Sequence, residues 1–324
     1  MKFRIALISL VLSFAVLAVA SSSATAQNYP NKPIHIIAPF PPGGGVDTFS
    51  RVIGAKLTER WGQPVVIDNR PGANSMIGTE AAAKAAPDGY TLLVTISGFT
   101  INPSLYKNPS YDPIKDFAPI TQMSTVPLVL VVNPSLPVRS VAELIALAKS
   151  QPGKLNYASI GTGSSTHLAA ELLKTMTGVD IVHVPYKGAP PAIAELVAGQ
   201  VQMLFIDNLV AGPLVASGRL RAIAVTSPER SSLVPDLSPV ADTVPGFSVV
   251  GWVGLFAPAG TPPAIVRKIH DEIRAILPLP EVRAKLAIMG PIPPNSTPEA
   301  FTALVHSEVK KWAKVVKESG AHAD

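Results

Sequence analysis

The sequence predicts an α/β chain of two lobes, each built on a doubly wound, mostly parallel sheet, with two crossing strands as the hinge. Three observations carry this. Short β-rich runs alternate with helical patterns, and strand–helix–strand alternation is the signature of parallel sheets. The alternation occurs twice, from Ile34 to Ile96 and again from Leu155 to Val225. Two long extended stretches, Ile120 to Val132 and Phe247 to Phe256, lie outside those units and are placed to cross between them. The chain has 324 residues, 47% hydrophobic and 15% charged, enough for two cores at roughly 150 residues per domain.

Taken in order, the first 26 residues read as a leader. Lys2 and Arg4 precede an apolar run from Ile5 to Ala20, and Ala24-Thr25-Ala26 offers a small-x-small cleavage site before Gln27. The run is shorter than the ~20 residues that span a bilayer. The mature chain is therefore expected to be soluble and in the periplasm; a monomer is expected separately. Ile34 to Ala38 is then a buried strand. Thr48 to Trp61 is a helix, with Phe49, Val52, Ile53, Leu57 and Trp61 at helical spacing. Val65 to Ile67 is a strand, Met76 to Ala86 an Ala-rich helix, and Tyr90 to Ile96 a strand. In the second unit Leu155 to Ala158 is a strand, His167 to Met176 a helix, Ile181 to Val184 a strand and Ala192 to Ala198 a helix. Gln202 to Ile206 and Arg221 to Val225 complete it. Three helices end the chain: Ala264 to Leu277, Glu281 to Ile288 and Pro298 to Ser319. They need a surface to pack on, and the economical solution returns the chain to the first lobe. The expected boundaries are 27–124 plus 251–324 for lobe one and 125–250 for lobe two.

Composition removes several chemistries. There is no cysteine, which excludes thiol nucleophiles, Cys-ligated metals and disulfides. The six histidines are spread singly, with no HExxH, so no metal site and no cofactor is expected. The net charge of +5 falls to +3 without Lys2 and Arg4, too mild for nucleic acid.

Two loops carry the candidate chemistry. Each follows a strand and opens a helix: Phe40 through Gly43-Gly44-Gly45-Val46-Asp47-Thr48, and Gly161-Thr162-Gly163-Ser164-Ser165-Thr166-His167. Open α/β sheets bind ligands at such carboxyl ends. First-turn N–H groups lack intrahelical partners and carry the positive end of the helix dipole, so an anion is held there without a cationic side chain. Ser164, Ser165 and Thr166 are able to cap the helix or donate to the same anion. The plainer reading, tight turns and caps, stands beside this one. Neither loop carries GxxxxGK[ST], which argues against a nucleotide. No GxSxG occurs, so a serine hydrolase would have to pair Ser164 or Ser165 with His167 alone, and an orienting or capping histidine is the simpler role. Asp47 caps or shapes the first loop, or accepts from a ligand amine. Asp207 and Asn208 follow a strand, Asn74 sits in the next βα loop and Ser97 ends the third strand; all are candidates to reach the cleft. Lys187 reads as solvated.

The segments PFPPGGGVDTFSR, NRPGANSMIG, APDGYTL, YASIGTGSSTHLAAELL and HVPYKGAPPAIAELVAGQV resemble the Bug family, the extracytoplasmic solute-binding receptors of tripartite tricarboxylate transporters. The resemblance covers the mature chain. It implies a type II periplasmic-binding-protein fold, a small organic acid in a hinged cleft, no catalysis and delivery to membrane transporter components. It places Phe40 and Gly43 to Thr48 on the first ligand loop and Gly161 to Thr166 on the second, with His167 at the family's GSxxH position. Asp207 falls where members vary a ligand contact. Asn74-Ser75-Met76 departs from a more glycine-rich run, so the distal end of the ligand is expected to be read differently. A receptor that signals to a sensor kinase is the remaining alternative.

Overall fold

Strand pairing organises the molecule around one long element. The computed structural model describes residues 28–286, 290–293 and 296–323; the expected leader and the expected end of a helix at Ile288 lie outside them. The first sheet contains β1 (Ile34–Ala38), β2 (Val65–Asn69) and β3 (Thr91–Ile96), which are mutually parallel. β9 (Val250–Pro258) and β4 (Phe117–Val132) extend it in antiparallel fashion, giving the order β2-β1-β3-β9-β4. β4 does not stop there. Its residues to Pro127 pair with β9, and from Leu128 it pairs with β7 (Met203–Asp207) and β8 (Arg221–Val225). β5 (Asn156–Ser159) joins β7 in parallel and β6 (Val182–Pro185) joins β5. Both sheets are thus mixed, with parallel βα units at the outside and antiparallel strands at the crossing.

Alternation along the strands buries both faces of each sheet. In the first, Ile36, Leu92, Val253 and Leu255 pack under α1 (Gly45–Trp61), α8 (Pro263–Ile276) and α9 (Pro280–Leu286). Their neighbours Ile37, Leu93, Trp252 and Phe256 face the other layer with Phe99, Phe301 and Val305. α8 shows why it belongs there: Ile265, Val266, Ile269, Ile273 and Ile276 recur at helical spacing and all are buried. In the second sheet, Leu128, Leu130, Tyr157, Met203 and Phe205 face α4 (Val141–Ser150) and α5 (Ser165–Thr177). Val129, Val131, Leu204 and Ile206 face α6 (Ala189–Val197) and α7 (Asn208–Ala216).

Two helices belong to both cores. α10 (Pro298–Ser319) places Phe301 and Val305 in the first core and Trp312, Val315 and Val316 in the second. Between them Glu308 is buried, accepting from Trp312 Nε1 at 2.6 Å and from Lys311. α3 (Gly98–Leu105) begins with Phe99 in the first core and ends with Ile101 and Leu105 in the second. The sequence pattern did not reveal α3, because Asn102 and Pro103 are poor helix formers. Pro103 has no N–H for the Phe99 carbonyl, and Tyr111 Oη donates to that carbonyl instead at 2.8 Å. α2 (Met76–Ala83), α1, α5, α6, α8, α9 and α10 follow the expected order, whereas α4 and α7 were not expected.

The return crossing is a loop clasp, whereas the outward one is a strand. Thr226 is fully buried, and its Oγ1 lies 2.7 Å from Leu128 N, 3.0 Å from Leu128 O and 2.6 Å from Val249 O. One hydroxyl therefore ties β4 to the returning chain where the lobes meet. Among the described residues no helix is long and apolar enough to cross a membrane.

Candidate ligand-binding cleft

The pairing registers bring the loops together. β3 ends at Ile96 opposite Val253, and Val250 pairs with Pro127, so the carboxyl ends of β1, β2 and β3 share the edge at the crossing. Beyond it Leu128 pairs with Asp207, so the carboxyl ends of β7, β5 and β6 share the facing edge. The two glycine loops, Asn74, Ser97 and Asp207 therefore all lie on opposed sheet edges, the position where open α/β sheets take ligands.

The first loop leaves β1 at Ala38 and enters α1 at Gly45. Gly43, Gly44, Gly45 and Thr48 are exposed, Phe40 is half-buried against the core, and Asp47 is buried. Asp47 faces inward rather than toward the cleft. Its carboxylate accepts from Gly43 N at 2.9 Å, Asn69 Nδ2 at 2.9 Å and Arg51 Nε at 3.0 Å, with Arg51 Nη2 at 2.9 Å on its other oxygen. Asn69 also donates to Phe40 O at 3.1 Å and accepts from Arg51 at 3.1 Å. The Arg51 hydrogen bond holds the Asp47 carboxyl below its ordinary range, opposed by burial and aided by Gly43 and Asn69. The first intrahelical bond is Thr48 N to Gly44 O, and the amides of Gly44, Gly45 and Val46 have no acceptor among the described residues. They are the free donors of this loop.

The β2–α2 loop sits beside it. Ala73, Asn74 and Ser75 all have left-handed backbone, with φ of 45°, 50° and 73°, costly for residues other than glycine. Asn102 of α3 holds them there: its Nδ2 donates to Asn74 O at 2.7 Å, and Asn74 Nδ2 donates back to Asn102 Oδ1 at 2.8 Å. Gly78 lets α2 approach closely, since a Cβ there would lie 2.6 Å from Arg70 O and 2.8 Å from Pro39. The exposed Asn74 is thus engaged with α3, and Ser97, which is buried, lends its carbonyl to Thr100.

The second loop joins β5 to α5. Ser164 is the N-cap, accepting from His167 N at 3.3 Å and donating to Gly161 O at 2.6 Å. Thr166 is buried, accepts from Ile160 N at 3.0 Å and meets Ser164 Oγ at 2.9 Å. Gly161 N donates to Ser159 Oγ at 3.2 Å and Gly163 N to His167 Nδ1 at 3.0 Å. The amides of Thr162, Ser165 and Thr166 have no acceptor among the described residues, nor has the Ser165 hydroxyl. Gly163 has φ +78°, and a Cβ on it would lie 2.7 Å from Leu105 at the end of α3. α3 accordingly touches the loops of both lobes, through Asn102 on one side and Leu105 on the other.

This geometry dismantles a Ser–His pair. Both Ser164 Oγ contacts other than His167 N are to the loop itself, and the His167 ring bonds Gly163 and faces Glu171, not a serine. Asp207 ends β7 at the facing edge; no side-chain bond of its carboxylate is present among the described residues, and burial pushes its carboxyl up. Lys187 is exposed. Arg51, Asn69, Ser159, Asn102 and His183 shape these loops and escaped the sequence reading. Only Arg51, four residues after Asp47, had a local signal.

Comparison with known proteins agrees with the arrangement. Residues 49–321 match the model of the tripartite tricarboxylate transporter family receptor. Protein BugT of Bordetella pertussis is 38% identical, with 97% of this chain and 98% of BugT covered. An R. palustris protein solved with adipate is 37% identical, covers 91% of this chain and 99% of its own, and superposes with a TM-score of 0.72. MatC from Rhodopseudomonas palustris, with bound malate, is 33% identical over 89% of this chain and 100% of its own, with a TM-score of 0.68. The family so matched is one of receptors rather than enzymes, and the chain belongs to it, the receptor family of tripartite tricarboxylate transporters.

Proposed function

We propose that the protein captures a small organic acid between its two lobes in the periplasm and presents it to the membrane components of a tripartite tricarboxylate transporter. The carrying observation is the pair of helix N-termini, at α1 and α5, opposed across one crossing. Each bears amides without acceptors and neither relies on a cationic side chain. Backbone dipoles of this kind bind carboxylates. The adipate and malate found with two relatives support the same ligand class. The first loop, rigidly clamped by Asp47, receives one carboxylate through Gly44, Gly45 and Val46. Closure adds Thr162, Ser165 and Thr166 from the second lobe. These are contacts made only in the closed state, and such contacts are what shift an open–closed equilibrium. Asn74 and Asp207 lie to either side and read the rest of the ligand.

Titration calorimetry with adipate, malate and a panel of mono-, di- and tricarboxylates tests this. A dicarboxylate is expected to bind with micromolar or tighter affinity as a monomeric 1:1 complex. Failure of every acid in the panel would sink the reading.

A further inference from the structure

Beneath the second loop lies a group of titratable side chains that no ligand contact requires. His167 Nδ1 accepts the Gly163 amide at 3.0 Å, so its ring proton is on Nε2, which faces Glu171 Oε1 at 3.8 Å. The His183 ring, from β6, stacks on it with centroids 3.9 Å apart and planes at 12°. Tyr157 of β5 stacks on His183 at 4.9 Å. His183 Nε2 is 2.7 Å from Ser159 Oγ, the same oxygen that accepts the Gly161 amide. Each imidazole therefore secures one glycine of the loop, His167 directly and His183 through Ser159.

We propose that His167 and His183 are a stacked pair of positioning residues that set the second glycine loop in its ligand-binding shape, and that they do so only while both rings are neutral. The inference rests on the reading that this loop contacts the ligand. A proton on His167 Nδ1 would turn the acceptor of Gly163 N–H into a second donor, and two donors facing each other repel. Charging both rings at a stacking distance of 3.9 Å adds like-charge repulsion. The surroundings favour neutrality. Burial, the largest influence, pulls both rings down, His183 to about 4. The other titratable groups facing the stack are Tyr157, Glu171 and Lys174. Glu171 would favour imidazolium, but Lys174 Nζ at 2.9 Å and the Tyr157 hydroxyl already occupy it, and Lys174 opposes a further cation. Tyr157 itself belongs to the apolar core that holds Met203 and Phe205 of β7 and Trp312, Val315 and Val316 of α10.

The test uses the full mature chain and separates loop from ligand. In ¹⁵N NMR between pH 7.5 and 4, the His167 ring is expected as the Nε2–H tautomer, and Gly161 and Gly163 as protected amides. Their protection should fall about tenfold, the size of one lost hydrogen bond, as the rings charge. An Nδ1–H tautomer, or Gly163 protection unchanged down to pH 4, would overturn the proposal. His167→Asn keeps an acceptor at the Nδ1 position without titrating, and His183→Phe keeps the stack. Affinity for adipate or malate should drop about tenfold more on acidification in the wild type than in His167→Asn. The ligand's own titration cancels in that ratio, and equal slopes would also overturn the proposal. If neither acid binds, the receptor reading is at fault, and the NMR arm still decides the role of the pair.

Discussion

The two glycine loops occupy equivalent places, one per lobe, yet are held by opposite means. The first is fixed by a charged clamp, in which Asp47 gathers Gly43, Asn69 and Arg51. The second is fixed by neutral groups, with Ser164, Thr166, Ser159 and two imidazoles bonding within and behind the loop. Both leave first-turn amides free. The difference teaches that one fold holds two helix N-termini with free amides by opposite means, ionic in one lobe and neutral in the other, so the two locks respond to different conditions.

The largest way to break the contrast is Gly163→Val. It demands a left-handed valine and drives a side chain into Leu105. A loss of about 2–4 kcal/mol in urea unfolding is expected, with binding abolished. Asp47→Ala should cost about 2 kcal/mol by stranding the Gly43 amide and releasing Asn69 and Arg51, and Asp47→Asn less, since an acceptor remains. If the Asn variant costs as much as Ala, the clamp works through charge rather than hydrogen bonding. Thr226→Val removes the hydroxyl shared by Leu128 and Val249. It is expected to lower stability by about 1–2 kcal/mol and to alter the lobe-closure change seen by small-angle scattering on ligand addition.

Acidification should separate the two loops in pH. The His183 ring is pulled from its ordinary 6.5 to about 4, so the stability it lends is complete above pH 6.5 and is lost as pH falls toward 4. Asp47 is held below its ordinary 3.8, so its contribution is lost only at lower pH. Unfolding midpoints measured from pH 7.5 to 3 should show the upper slope flattened in His183→Phe and untouched in Asp47→Asn. The smallest effect is expected from the exposed Lys187→Ala, under ~0.5 kcal/mol; a larger loss of affinity there would place Lys187 in the cleft after all.

Much of the fold was legible because hydrophobic period reports burial directly. The pattern placed α10 at Pro298 to Ser319 and β8 at Arg221 to Val225, where the structure has them. It missed α3 and α7, whose internal Pro103 and Pro213 argue against helix, and α4. It also read the crossing as two strands. The outward crossing is β4, continuous from Phe117 to Val132, but the return runs through the loop held by Thr226 before β9 begins at Val250.

What the sequence determined by itself is the pair of glycine loops, their position at strand ends and the absence of any thiol, because these follow from local spacing and composition. Only the tertiary structure decided which atoms of those loops are free. Gly163 looks like an open donor in the sequence, yet its amide is spent on His167. Arg51, Asn69, Asn102, Ser159 and His183 act through partners brought near by sheet register and helix packing, and a single sequence carries no record of such distances. A hydrogen bond is a property of two groups, and the chain alone names only one of them.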